Sequence, residues 1–413
     1  MNTKLNSSDA YAALRISDFR WFLSARFLLT FAVQMQSVIV GWQVYNLTHD
    51  ALSLGMIGLA EAIPFLSIAL FAGHVADKFN RKKIILLSSI AFLLCSVALL
   101  LITSRFSFVF QSIGAYPIYA VIFLTGIARG FIFPAMSAFS AQLIPTELFG
   151  NSATWNSVSW HVAAVSGPAI GGLVYGFWGI VHAYCLVAGF TFLSVISFAF
   201  IKNKPLPVSR ISETIGQSLT AGLRFVFANQ VLLSAISLDM FAVFFGGAVS
   251  ILPIFADQIL HIGAQGLGFL RAAPAVGSIA MSLALAHWPP FKQAGRNLLI
   301  GVAGFGVMMI AFALSRNFYL ALAILVLSGA FDNISVVIRG TIIQLFTPDE
   351  MRGRVSSVNS IFIGSSNELG SFESGLAARL LTLVPSIIFG GAMTIGVVST
   401  VYAVAPKLRQ LKL

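Results

Sequence analysis

The sequence predicts an all-α membrane protein of twelve transmembrane helices, arranged as two pseudo-symmetric six-helix halves. Three observations carry that expectation: apolar blocks long enough to cross a bilayer, a one-sided distribution of basic residues, and a repeat at a fixed offset. The 413 residues are 58% hydrophobic and 9% charged, against ~25% charge in an ordinary soluble domain. Mean hydropathy is +0.90. A spanning helix needs ~20 largely apolar residues to cross ~30 Å of hydrocarbon. Lipid offers the backbone no partner outside its own segment, which favours helices. The blocks also lack the alternation over ~10 residues that a membrane β-strand shows.

Taken in order, the chain opens on a polar segment and then enters WFLSARFLLTFAVQMQSVIVGWQVYNL. This run is too long for a signal-peptide core and has no small-residue cleavage pattern, so 20–46 is read as an uncleaved first span. Blocks 52–73 and 84–103 follow, separated by GHVADKFNRKK (73–83). Next come 117–141, 153–176 and 180–201, which complete the first half (1–201). A connector, 202–229, contains KNKPLPVSRISETIGQ and is expected to be a cytoplasmic linker. The second half (230–413) holds spans 230–256, 264–287, 297–314, 318–345, 355–377 and 384–404.

Placing the N-terminus in the cytoplasm puts eighteen of the 25 bases in cytoplasmic segments. Arg105, Arg316 and Arg379 are left on the opposite side, and Arg26, Arg129, Arg271 and Arg339 within spans. Both termini are therefore expected inside. The net charge of +11 is an orientation signal, and no nucleic-acid partner is expected. The expected location is the cell membrane, the inner one if the cell is Gram-negative.

The two halves match at an offset of 203. PTELFGNSATWNS (145–157) aligns with PDEMRGRVSSVNS (348–360), and Gly126, Gly167 and Gly172 fall on Gly329, Gly370 and Gly375. Two six-helix halves related by a parallel repeat is the layout of a secondary transporter with its site between the halves. Cys95 and Cys185 are far apart, and no CxxC pair suggests a zinc site or a disulfide framework. No phosphate-binding loop, HExxH or nucleophile elbow occurs. Neither an enzyme, nor a cofactor, nor a metal is expected.

The 73–83 loop has a mechanical reading. Gly73 lets helices approach closely, Asp77 at a helix end can pair with a base and with helix N–H groups, and Lys78, Arg81 and Lys82 hold the cytoplasmic face. Together they form either a latch between the halves or a purely topogenic basic loop. The same loop resembles the signature loop of the major facilitator superfamily, with Asn80 where that pattern has Gly. GIARGF (126–131) resembles the superfamily's Arg-containing fourth-helix motif. GPAIGG (167–172) resembles the end of the antiporter motif on the fifth helix, with Ala163 and Thr154 at the upstream glycine places. The stretches 331–375 and 238–260 resemble the bacterial enterobactin-exporter group. The resemblance implies the major facilitator fold and proton-driven export of a siderophore or similar small organic molecule.

A charge in the membrane centre costs ~2.5–3.5 kcal/mol on insertion scales, so each needs a partner, a cavity or a function. At ~1.5 Å per residue, Glu61, Arg129, Asp239, Asp332 and Glu368 fall near mid-membrane. Glu373 lies nearer the outer end, Arg271 about a third of the way in from outside, and Arg339 nearer the cytoplasm. Asp332 and Arg339, seven apart, share a helix face. Glu368 and Glu373, five apart, cannot both point into one cavity. Each acid is weighed between transport pathway and structural pairing. Arg129 and Arg339 suit an anionic substrate such as a catecholate, whose oxygens fit the guanidinium fork, or neutralise Glu61 or Asp332. Gln36, on the face shared with Gln43, is a weaker pathway candidate. Desolvation favours the neutral form of a carboxyl group, so Glu368 or Asp332 is the expected proton carrier. The partners expected are a small organic substrate, protons and the lipid bilayer, with the chain a monomer. A broad-specificity drug exporter and a non-transporting receptor or scaffold on the same fold are the alternatives.

Overall fold

In the computed structural model the described residues are 11–204, 215–288, 290–348 and 351–412, without the side chains of 69, 70, 73, 74, 77, 215–219 and 290. The helices are α1 (Ser17–Thr48), α2 (Ala51–Lys78), α3 (Arg81–Ser104), α4 (Phe108–Ile113), α5 (Tyr116–Leu143) and α6 (Phe149–Ala199). They continue as α7 (Ile215–Ala228), α8 (Gln230–Gly246), α9 (Leu252–Ile254), α10 (Ala264–His287) and α11 (Ala294–Leu314). Last come α12 (Phe318–Phe346), α13 (Arg352–Leu381), α14 (Leu383–Val404) and α15 (Pro406–Arg409).

Ten helical segments among the described residues are long and apolar enough to cross a membrane. One of them contains α6, which is two helices meeting at Gly179 (φ 83°, ψ 172°). That backbone conformation suits a residue without Cβ. α13 is not among the ten, because its serines and two glutamates lower its hydropathy. Splitting α6 and adding α13 is consistent with twelve spans.

Local chemistry sets several boundaries. Asn80, Asn229 and Asn317 cap α3, α8 and α12 by accepting from backbone N–H groups two or three residues on. Asn80 thus has a capping role at the place where the signature loop carries glycine. The seventh span is broken. α8 stops at Gly246 and is followed by a 3-10 turn (Ala248–Ile251), α9, and a π turn (Phe255–Ile259). Gly246–Gly247 weakens the helix, and Pro253 supplies no N–H and crowds the carbonyl four residues earlier. The expected linker also holds structure, since α7 lies within it and buries Val226 in the core of the second unit.

Packing divides the chain into one unit of Met1–Val40 with Ile63–Ser212 and another of Gly41–Ala62 with Glu213–Leu413. In the first, Phe22 sits edge-on to Phe139 and Phe198, and Ser194 Oγ donates to the Ala25 carbonyl at 2.8 Å. A Cβ on Gly167 of α6 would lie 3.0 Å from the Phe31 carbonyl of α1. The repeat-related Gly370 of α13 stands in the same relation to α8, 2.8 Å from the Phe244 carbonyl. In both cases a glycine lets a later helix of the half reach the backbone of the half's first spanning helix.

α10 and α12 pack backbone against backbone. A Cβ on Gly329 would strike the Pro274 backbone, and one on Gly277 the Val326 carbonyl. Gly329→Val therefore forces the two helices apart. The expected result is a loss of at least ~1–3 kcal/mol, read as a fall in the monodisperse fraction after detergent extraction. Gly340→Ala, at a position with nothing within 4 Å, serves as the unaffected control.

Candidate functional site

The second unit contains a cavity of about 180 Å³. Its polar wall is Arg271 from α10, Ser328 and Asp332 from α12, and Asn367 from α13. Its apolar wall includes Val243 of α8 and Phe305 and Met309 of α11. Helical spacing explains the α12 contribution, because 328 and 332 are one turn apart on one face. Glu368, next to Asn367, acts electrostatically on Arg271. The site thus places a guanidinium and a carboxyl group in one cavity wall, with a second carboxyl group acting on that guanidinium, beside an aromatic and aliphatic surface. Such a site can hold a proton, a polar group of a small molecule, or each in turn.

Asp239 and Arg339 are elsewhere. Arg339 Nη1 pairs with Asp239 Oδ2, and Ser335 Oγ donates to Asp239 Oδ1 at 3.2 Å. Both charged side chains are only 6% exposed. The alternative in which Arg339 neutralises Asp332 is therefore corrected: its counter-charge comes across the α8–α12 contact from Asp239. Ser328, Asp332, Ser335 and Arg339 follow one another at steps of four, three and four along α12. The upper two face the cavity and the lower two bind Asp239.

The other expected residues are distributed as follows. Glu61 is half-buried near the end of the Gly41–Ala62 segment. Glu373 is half-buried on α13, between Gly370, which meets α8, and Ser374, which donates to the Gly247 carbonyl at 2.9 Å. In the first unit, Gln36 Oε1 accepts from Ser96 Oγ at 3.1 Å, a buried α1–α3 contact. The Arg129 guanidinium lies 5.5 Å from the Phe65 ring centre and 5.6 Å from that of Phe133, a cation–π arrangement. Arg26, a base within the first span, donates to Asn156 Oδ1 on α6 at 2.8 Å.

Of the loop residues, Arg81 donates to the Ala76 and Ala138 carbonyls. Lys82 donates to the carbonyls of Ala199 and Ile201, the usual service of a lysine at a helix C-terminus. These bonds lie within the first unit. Lys78 is exposed. The side chains of Gly73 and Asp77 lie outside the described residues.

Arg271 and Asn367 were not among the site residues expected from sequence. A base inside the eighth span was the available signal for Arg271. Asn367 carried none beyond its place beside Glu368.

The sequence profile of the transmembrane secretion effector family of the major facilitator superfamily matches residues 8–412. The chain belongs to that family. Among curated relatives, the enterobactin exporter EntS of Shigella flexneri is 26% identical over 379 residues, covering 89% of this chain and 87% of the relative. EntS of Escherichia coli O1:K1 shows the same identity and coverage. Solved structures share the fold at low identity. A POT-family transporter in complex with 5-aminolevulinic acid superposes with a TM-score of 0.76 at 12% identity, covering 94% of this chain and 96% of that one. A D-xylose–proton symporter superposes with a TM-score of 0.73 at 13% identity, covering 96% and 99%. The protein is a multi-pass membrane transporter of the major facilitator fold, and not an enzyme.

Proposed function

We propose that the protein exports a siderophore-like organic molecule from the cytoplasm by alternating access, in antiport with protons. It works as a monomer in the cell membrane, the inner one in a Gram-negative cell, with both termini cytoplasmic. The observation that carries this reading is the cavity lined by both Asp332 and Arg271, with Glu368 acting on the same guanidinium. Two acids against one base leave a net charge of −1 when all three are ionised. A buried site in lipid tolerates such an excess poorly, so it takes up one positive charge, and a proton is the smallest available. Asp332 or Glu368 is the carrier. Proton uptake loosens the hold of that carboxyl on Arg271, and an acidic oxygen of the substrate, catecholate or carboxylate, competes for the same guanidinium. Halves 1–201 and 230–413 move about this pathway, with the linker 202–229 joining them and the 73–83 loop acting as latch.

The relatives named enterobactin exporters support export and the substrate class. The apolar wall at Phe305 and Met309 favours a second reading, a broad-specificity drug exporter. Efflux from loaded proteoliposomes under an imposed pH gradient, against a panel of catecholate siderophores and cationic dyes, decides between them. Gradient-dependent efflux of the catecholates alone is the expected result. Efflux of dyes alone would replace the first reading with the second, and no efflux of any compound would remove both.

A further inference from the structure

The volume of the cavity in the second unit restricts what enters it. About 180 Å³ is less than the ~300–1,000 Å³ of pockets that enclose a drug-sized molecule. It is close to the ~150 Å³ of an apolar cavity that holds benzene. The space therefore fits one six-membered ring. A molecule of several rings can place only one of them inside.

The walls suit such a ring. Most of the lining is apolar, with Val243, Leu252, Pro274, Phe305, Met309 and Leu325 contributing. Phe305 owes its place to the break in the seventh span. A Cβ on Gly246 would lie 2.6 Å from Phe305 Cε1 and 2.8 Å from Thr394 Oγ1. The glycine that weakens α8 thus also makes room for the aromatic wall. Aromatic pairs are favoured beyond the area they bury, and the thioether of Met309 adds a sulfur–aromatic contact. Polar groups are few and specific. Arg271 supplies the cation. Ser328 is 1% exposed and gives its hydrogen to the Leu325 carbonyl at 2.8 Å, so toward the cavity it can only accept.

We propose that this cavity is a single-ring subsite. It takes one aryl group that bears an acidic oxygen and a hydroxyl. The acidic oxygen sits on Arg271, the ring lies against Phe305 and Met309, and the hydroxyl donates to Ser328 Oγ. A substrate with several such arms is held here by one of them. The inference rests on the reading of this cavity as the transport pathway, and it narrows the substrate class to molecules with separate single-ring arms. Fused polycyclic compounds, many dyes among them, exceed the space.

The test is calorimetric binding to the full chain in lipid nanodiscs, with benzoate, meta-hydroxybenzoate and naphthoate as probes. The hydroxyl should tighten binding about fivefold over benzoate, as one added hydrogen bond allows. The second fused ring should weaken it about tenfold, the cost of overfilling a packed space. Ser328→Ala should remove the preference for the hydroxyl. Phe305→Ala and Met309→Ala each enlarge the cavity and should reverse the size preference, so that naphthoate binds tighter than benzoate. Gly340→Ala, with nothing within 4 Å of its added Cβ, should behave as the parent. Equal affinity of the parent for benzoate and naphthoate, or no binding of any probe, overturns the subsite. So does an unchanged size preference in both enlarged variants when each is monodisperse. Catecholate efflux from proteoliposomes is measured alongside. The expected binding pattern without any efflux sinks the exporter reading and leaves the subsite standing. Efflux that saturating meta-hydroxybenzoate does not slow sinks the subsite alone.

Discussion

Asp332→Asn is expected to abolish uphill export driven by a pH gradient while leaving downhill exchange of substrate intact. The argument is thermodynamic. One proton moving down one pH unit supplies ~1.4 kcal/mol, enough for a substrate concentration ratio of about tenfold when the membrane potential is collapsed. A carrier unable to change its protonation state can capture none of it, so the ratio should fall from about ten to about one. The amide preserves the shape of the side chain and its place on the wall that Arg271 shares. The variant should therefore fold, bind and exchange substrate, because Asp332 is not part of the Asp239–Arg339 pair. Glu368→Gln is the necessary companion. If the gradient still concentrates substrate in Asp332→Asn and fails to in Glu368→Gln, the proton rides on Glu368. If both retain full gradient dependence, neither acid takes part in coupling. Proteoliposomes with internal and external pH set independently provide the measurement, with counterflow at equal pH as the exchange control.

How much of this was legible in the sequence can be judged from particular residues. The spans were readable because lipid demands long apolar helices, and the loop bases were readable because they bias orientation. Asp239, Asp332, Arg339 and Glu368 stood out for the same reason, since charge at membrane depth is costly wherever it lies. Partnership was not legible. Asp332 and Arg339 share a helix face, and only the packing of α8 on α12 shows that Arg339 is already satisfied by Asp239. Arg271 was visible as a base within a span, yet its place beside Asp332 depends on how α10 crosses α12 at Gly277 and Gly329. The break after Gly246 was concealed by continuous apolar composition, with Gly246–Gly247 and Pro253 its only trace. Tyr45 and Asp257, whose side chains hydrogen-bond at 2.7 Å, gave the weakest signal of all. They are 212 residues apart in sequence and lie near the ends of spans, where aromatic and acidic residues are unremarkable.

The second large effect separates structural charge from working charge. Asp239→Asn leaves the Arg339 guanidinium buried with an amide and Ser335 as company, and breaking a buried ion pair by removing one partner costs ~3–5 kcal/mol. A severe loss of folded protein is expected, seen as low membrane yield and aggregation on extraction. Replacing both members should behave in the opposite way. In Asp239→Leu with Arg339→Met, neither side chain needs a counter-charge, and exchanges of this kind are often neutral or stabilising. The folded yield should return to near the parent level. Transport by the rescued double variant then discriminates. If the pair serves only to join α8 to α12, gradient-driven export recovers together with folding. If the polar line Ser328–Asp332–Ser335–Arg339 takes part in moving the proton, the double variant folds, exchanges substrate downhill and fails to couple. We expect recovery of coupling, because both members of the pair are sealed at 6% exposure and the cavity keeps Arg271 and Asp332 without them. A double variant that folds but does not couple would extend the proton path from Asp332 down α12 to Asp239.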